Sequence, residues 1–168
     1  GTGYVIKADS AGQTEWLTEL DYSRPHHGQD IIQTLEGDYL LVGWWYVNAA
    51  ETNQKSAFMA RIGEGGSIQW TQRYGGDCGE DQFNAVVQTD DGGFITVGEF
   101  EHEGDGFNCS FYGYMDLWFV KTDSEGNMVQ EAKYGGPYWE RATDIVPLPD
   151  GNYAVSGRKR HTKQHPIN

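Results

Sequence analysis

The chain has 168 residues, 38% of them hydrophobic, which suits one core and is too little for two independent domains. Twenty-three glycines against five prolines, with 14% aromatics and no alanine- or leucine-rich stretch, exclude a helical bundle. A formal charge of −13 repels phosphate backbones and anionic bilayers, so neither nucleic acid nor a membrane is expected as a partner.

The predicted elements are all hairpins. Val5-Ile6-Lys7, a turn at Ser10 to Gln13 and a strand through Trp16 form the first, spanning Tyr4 to Leu20. Asp30 to Gly43 follows as strand, turn and strand, where Glu36-Gly37 supplies the positive φ that a tight turn demands. Met59-Ala60-Arg61 to Trp70 repeats the first hairpin around Glu64 to Ser67, and Ala85 to Gly98 repeats the second around Asp91-Gly92. Phe119-Val120-Lys121 to Gln130 and Asp144 to Gly157 are the third copies, with turns at Ser124 to Asn127 and Asp150-Gly151. The segments 30–43, 85–98 and 144–157 align without a gap, and Lys7, Arg61 and Lys121 each precede Trp16, Trp70 or Gln130 by nine residues. No window of comparable length carries a 3.6-residue apolar period, so no helix is predicted.

Two alternating hairpins in three copies make four strands per repeat, and such repeats build propeller blades. The chain resembles bacterial and archaeal propeller repeats of the type W-hydrophobic-V-K-x-D-x-x-G-N … Y-G-G … D-G-G-[YF]-[IV]-x-V-G. The likeness is carried by Leu117 to Asn127, Trp70 to Gly76, Tyr134-Gly135-Gly136 and Asp91 to Gly98, and covers about Tyr4 to Gly157. It implies an all-β propeller fold and no single activity. The first repeat departs with Leu20-Asp21-Tyr22 in place of Tyr-Gly-Gly, and the third with Gln130 in place of Trp, so those junctions are expected to pack differently.

The layout that follows is a half-blade at 1–21, blades at 22–74 and 75–134, a half-blade at 135–157, and a basic tail at 158–168. That tail holds Arg158, Lys159, Arg160 and Lys163, which leaves eight bases against 25 acids in residues 1–157. Three blades are too few for a ring, since closed propellers have about four to eight. A homodimer of six blades, in which each chain's first hairpin completes the blade begun by the other's last hairpin, is the expected assembly, the alternative being a piece of a longer chain.

In a blade the short turns fall on one face and the longer connections on the other. Those longer connections lie near Tyr22 to Gly28, Val47 to Ser56, Gly75 to Gln82, Glu101 to Met115 and Gly135 to Arg141, and loops on a rigid scaffold are where sites sit. The predicted ligand-binding set on that face is His26, His27, Trp44, Trp45, Tyr46, Asp77, Glu80, Asp81, His102, Tyr112, Tyr114, Tyr138, Trp139, Glu140 and Arg141. Flat aromatics beside carboxylates suit sugar rings, whose C–H faces stack while their hydroxyls bond to acids. The expected function is therefore binding of a carbohydrate, peptide or protein partner without catalysis. Trp16, Trp70 and Trp118 are expected to pack between blades.

The competing reading is a glycan hydrolase or lyase using two of Asp77, Glu80, Asp81 and Glu140, whose carboxyls would have to stand roughly 5–9.5 Å apart. A third is a structural assembly unit. His26-His27 and Glu101-His102-Glu103 with Asp105 carry donor atoms without metal-ligand spacing, so no metal is expected. Neither a nucleophile elbow nor a phosphate-binding glycine loop occurs, and no cofactor is implied. Cys78 and Cys109 fit neither a zinc site nor a disulfide framework, and at most form one bridge within one blade. No apolar run approaches the roughly 20 residues of a membrane span, and nothing in the chain assigns a compartment.

Overall fold

A computed structural model describes residues 3–20, 26–48, 51–76, 79–101, 115–136 and 138–160. They form twelve strands and no helix: β1 (Tyr4–Ala8), β2 (Thr14–Glu19), β3 (His26–Gln33), β4 (Tyr39–Asn48), β5 (Glu51–Ile62), β6 (Ile68–Tyr74), β7 (Gln82–Gln88), β8 (Phe94–Glu101), β9 (Met115–Thr122), β10 (Met128–Tyr134), β11 (Trp139–Pro147) and β12 (Tyr153–Arg160). The strands make four antiparallel sheets, ordered β1-β2, β3-β4-β5-β6, β7-β8-β9-β10 and β11-β12. The all-β expectation is met.

All six short hairpins close alike. The N–H of Gly12, Gly37, Gly66, Gly92, Gly126 or Gly151 donates to the carbonyl three residues earlier at 2.8–3.1 Å, with φ between 79° and 94° at each glycine. A side chain there would cost ~1–2 kcal/mol, and this is why the acid-Gly turns recur.

A second irregularity also recurs. The register slips between Gly28 and Asp30, between Phe83 and Ala85, and between Ala142 and Asp144, so each of these hairpins carries a bulge at the same place. Opposite the bulges stand Gly43, Gly98 and Gly157, where an added Cβ would overlap the carbonyl oxygens of His27, Gln82 and Arg141.

Burial follows from stacking of the sheets. Along β4, Leu40 and Val42 join β5 residues Ala57 and Met59 and pack on Phe83, Val86, Phe94, Trp118 and Val120 of the next sheet. Leu41, with Phe58, Ala60 and Ile62, faces the other way onto Val5 and Leu20 of the first hairpin. A third layer joins Ala85, Ile95 and Val97 to Ala142 and Ile145. The four-stranded sheets are thus covered on both faces, so β8 is buried along almost its whole length without alternation.

Trp16 of β2 and Trp70 of β6 dock on the turn of the outer hairpin in the next sheet, β5–β6 and β9–β10 respectively. Trp16 Nε1–H donates to the Glu64 carbonyl at 2.9 Å beside Gly66, and the Trp70 ring lies where a Cβ on Gly126 would stand. At the sites of departure from the repeat, Leu20 is buried as Tyr74 is, and Gln130 is exposed; the retained Tyr134 is 60% exposed. Trp118 is fully buried, its Nε1–H donating to Glu131 at 2.9 Å.

Two boundaries differ from the sequence reading. Residues 47, 48 and 51–56, expected as a loop, extend the β4–β5 ladder through Tyr46↔Lys55 to Asn48↔Glu51, in a stretch with no Gly or Pro to break it. Arg158, Lys159 and Arg160, expected in a tail, continue β12 and pair with Arg141, Glu140 and Trp139.

Candidate functional site

The predicted residues separate by strand alternation. His27, Trp44 and Tyr46 share one face of the first four-stranded sheet: the His27 ring stacks on Trp44 at 3.9 Å, and Trp44 meets Tyr46 edge-on at 5.2 Å. Burial lowers the His27 pKa and the nearby Lys55 charge adds to that, so its imidazole is neutral at pH 7. His26 and Trp45 point to the opposite face, where His26 is 5% exposed and both rings pack on Phe58. Those two are core residues.

Lys55 ties the aromatic face to the next sheet. Its Nζ lies 4.8 Å from the Trp44 ring centre and donates to Glu80 Oε2 at 2.7 Å, while its backbone brackets Glu80 by bonds to Gly79 and Asp81. Asp81 is fully buried. Its Oδ2 accepts from Gly76 N–H at 2.9 Å and its Oδ1 from Glu101 N–H at 3.0 Å, fastening the β6–β7 connection to the end of β8. Both oxygens are occupied, so Asp81 serves the backbone.

Burial pushes the Asp81 carboxyl up from 3.8 to about 7, against the opposing pull of those two backbone bonds. An acid whose folded pKa is raised holds its proton while the unfolded chain has lost it. Its contribution to stability is therefore full below about pH 4, falls as pH rises to about 7, and is flat above. A carboxyl NMR titration should give Asp81 a midpoint near 7, and a midpoint near 4 would show the burial to be ineffective.

A cavity of about 210 Å³ opens at this end of the molecule, between β8 and the β11–β12 hairpin. Its lining comprises Lys55, Glu80, Gln82, Glu99, Met115, Trp139, Glu140, Arg141, Arg158 and Arg160. Cross-strand pairing places Trp139 opposite Arg160 and Arg141 opposite Arg158, so these four share one face of the hairpin. No ring stacks on Trp139 among the described residues. Glu99 is 7% exposed, its carboxyl 3.5 Å from an Arg141 nitrogen, and burial raises its pKa while the Arg141 charge pulls it down. Glu140 pairs with Lys159 at 2.8 Å, and that ammonium lies 5.3 Å from the Tyr138 ring centre.

Of the predicted set, Glu80, Trp139, Glu140 and Arg141 meet in this cavity, and His27, Trp44 and Tyr46 adjoin it through Lys55. Asp77, His102, Tyr112 and Tyr114 lie outside the described residues, as do Cys78 and Cys109. Sequence reasoning missed Lys55, Glu99, Arg158 and Arg160. The signal for Glu99 was available, since it is an acid placed directly after Gly98 in a strand that runs Phe-Ile-Thr-Val before that glycine. Among the described residues no three His, Cys, Asp or Glu side chains are gathered to hold a metal ion.

No protein-family model and no curated protein matches the chain. Among solved structures it is similar to a protein of unknown function from Bacteroides caccae, at 12% identity and a TM-score of 0.48. The likeness covers 87% of this chain and 43% of that one, so this chain spans less than half of its neighbour's length.

Proposed function

We propose that the protein is a non-catalytic binding propeller that holds a carbohydrate in the cavity between β8 and the β11–β12 hairpin. The observation that carries this reading is Trp139, an aromatic with no stacking partner among the described residues, set among carboxylates and guanidiniums. A ring face flanked by fixed hydrogen-bonding groups is what a pyranose needs. At about 210 Å³ the cavity suits one sugar unit, being smaller than the ~300–1,000 Å³ of sites for larger ligands.

The carboxylates favour binding over hydrolysis. Glu80, Glu99 and Glu140 are each engaged by a cation, Lys55, Arg141 and Lys159 respectively. Glu99 supports the second reading, a glycan hydrolase, because burial favours the protonated form that a general acid requires. Titration calorimetry against neutral and acidic oligosaccharides, with reducing-sugar release measured on the same samples, separates the two. Binding without release, weakened at least tenfold by Trp139→Ala, is expected. Release by the wild-type chain that Glu99→Gln abolishes would establish the hydrolase instead, and no binding of any saccharide would remove both.

For the assembly we propose that β11–β12 and β1–β2 are the two halves of one blade, joined between copies. The four-stranded sheets supply the template: the second strand of one hairpin type pairs with the first of the other, as in Leu41↔Ala60 and Thr96↔Val120. Carried over by the repeat alignment, the same register sets Val155 of one copy against Ile6 of another. An apolar groove of about 290 Å³, lined by Val5, Ile6, Ala8, Trp16, Ile31, Ile32 and Tyr39, lies beside the open edge of β1. The β11–β12 hairpin leaves Val146, Leu148 and Val155 exposed. Two such joints about a twofold axis close six blades.

A further inference from the structure

In a chain with 12 bases and 25 acids, the face of the β11–β12 hairpin at the cavity is an inversion of charge. Arg141 and Arg158 stand directly opposite each other and Arg160 follows two residues on, all beside Trp139. Like charges across a ladder repel, so this arrangement is unfavourable unless something neutralises it. Three glutamates also line the cavity, but Glu80 and Glu140 are taken by Lys55 and Lys159. Glu99 reaches Arg141 at 3.5 Å, but Arg158 and Arg160 make no ion pair or side-chain hydrogen bond among the described residues. The Arg141 Nε–H is screened from solvent and has no acceptor. Elsewhere the described bases are spent: Lys7, Arg61, Lys121, Lys133 and Lys159 each have a carboxylate within 3.5 Å.

Guanidinium groups suit this vacancy in one particular way. Their planar forks bind carboxylates and sulfates through two parallel hydrogen bonds, and they remain charged at every relevant pH. Trp139 beside them adds a flat apolar surface that a free inorganic anion cannot use. A ligand that employs both features carries an acidic group on a ring.

We infer that the cavity takes an acidic sugar, its carboxylate or sulfate held by Arg158 and Arg160 and its ring laid on Trp139. This rests on the carbohydrate-binding reading above and narrows it to a charged class of saccharide.

The test compares four probes by titration calorimetry on the full chain: a galacturonic acid trisaccharide, a sulfated galactose trisaccharide, a neutral galactose trisaccharide and sodium sulfate. One or both acidic trisaccharides should bind at least tenfold more tightly than the neutral one, and the advantage should shrink as salt rises. Arg158→Gln and Arg160→Gln, both exposed positions whose loss leaves the circular dichroism unchanged, should bring the acidic probe down to the neutral level. Arg158→Lys should restore part of the difference, because it returns the charge without the fork. Equal binding of acidic and neutral trisaccharides, both lost in Trp139→Ala, would overturn the acidic preference and leave the carbohydrate reading standing. Sulfate binding as tightly as the sugars would overturn the role of the ring. No saccharide binding at all would overturn both readings.

Discussion

Ile6→Asp is expected to turn a dimer of this chain into a well-folded monomer. Ile6 is 45% exposed on β1, so within one chain the substitution removes little and the hairpin keeps its ladder to β2. In the proposed ring the same side chain faces Val155 of the other copy and is covered. A carboxylate buried there without a partner costs about 3–5 kcal/mol. The twofold symmetry repeats the change at two joints, so the dimerisation constant should fall at least hundredfold. Light scattering over a concentration series reads this directly, with Ile6→Val as the control that stays dimeric. The ring is overturned if the unmodified chain is monomeric at every concentration tested. In the proposed ring the same template would set Lys7, which pairs with Glu15 within its own hairpin, near Asp150 of the other copy, as Arg61 meets Glu36 and Lys121 meets Asp91 within the four-stranded sheets.

Gly98→Ala should cost about 3 kcal/mol, more than a methyl group would at any turn glycine. Gly98 sits in the middle of β8, buried on both faces, and the new Cβ would overlap the carbonyl of Gln82 where the β7 bulge presses the backbone closest. Neither partner can retreat, since β7 is held from behind by Asp30, which accepts the Val86 N–H at 3.0 Å, and by Asn84, which donates to the Ala142 carbonyl at 2.7 Å. Gly92→Ala, by contrast, meets open space and costs only the strain of its positive φ, ~1–2 kcal/mol. Denaturant unfolding of the two variants should therefore rank Gly98→Ala as the worse by a clear margin. Equal losses would show that the sheet relaxes around the bulge.

The hairpins and their order were legible because the turn chemistry is local: a glycine at a fixed offset, preceded by an acid in four of the six turns, defines each chain reversal whatever lies around it. Facing was legible only where strand limits were right. His26 and His27 were grouped as one site, yet once β3 is known to begin at His26, alternation alone sends them to opposite faces. Lys55 was hidden by taking 47–56 as a loop, and Arg158 and Arg160 by taking the end of β12 as a tail. Asp81 illustrates a different limit. An acid that ends as an acceptor for two backbone N–H groups looks in sequence like an acid that meets a ligand, because the difference lies in residues 5 and 20 positions away. The bulges left no mark beyond the glycines opposite them, which read as ordinary ends of strands.

The three apolar layers each lie between consecutive sheets, and the tryptophans of β2 and β6 pack on the sheet that follows theirs. Cohesion in such a stack passes from neighbour to neighbour, and its stability is a chain of coupling terms with no single centre. A weakness in one layer would then part the molecule there while the sheets on either side stay folded. In a ring that coupling has no loose end, so hydrogen exchange in the outermost hairpins, β1–β2 and β11–β12, would slow towards that of the middle sheets as concentration drives assembly.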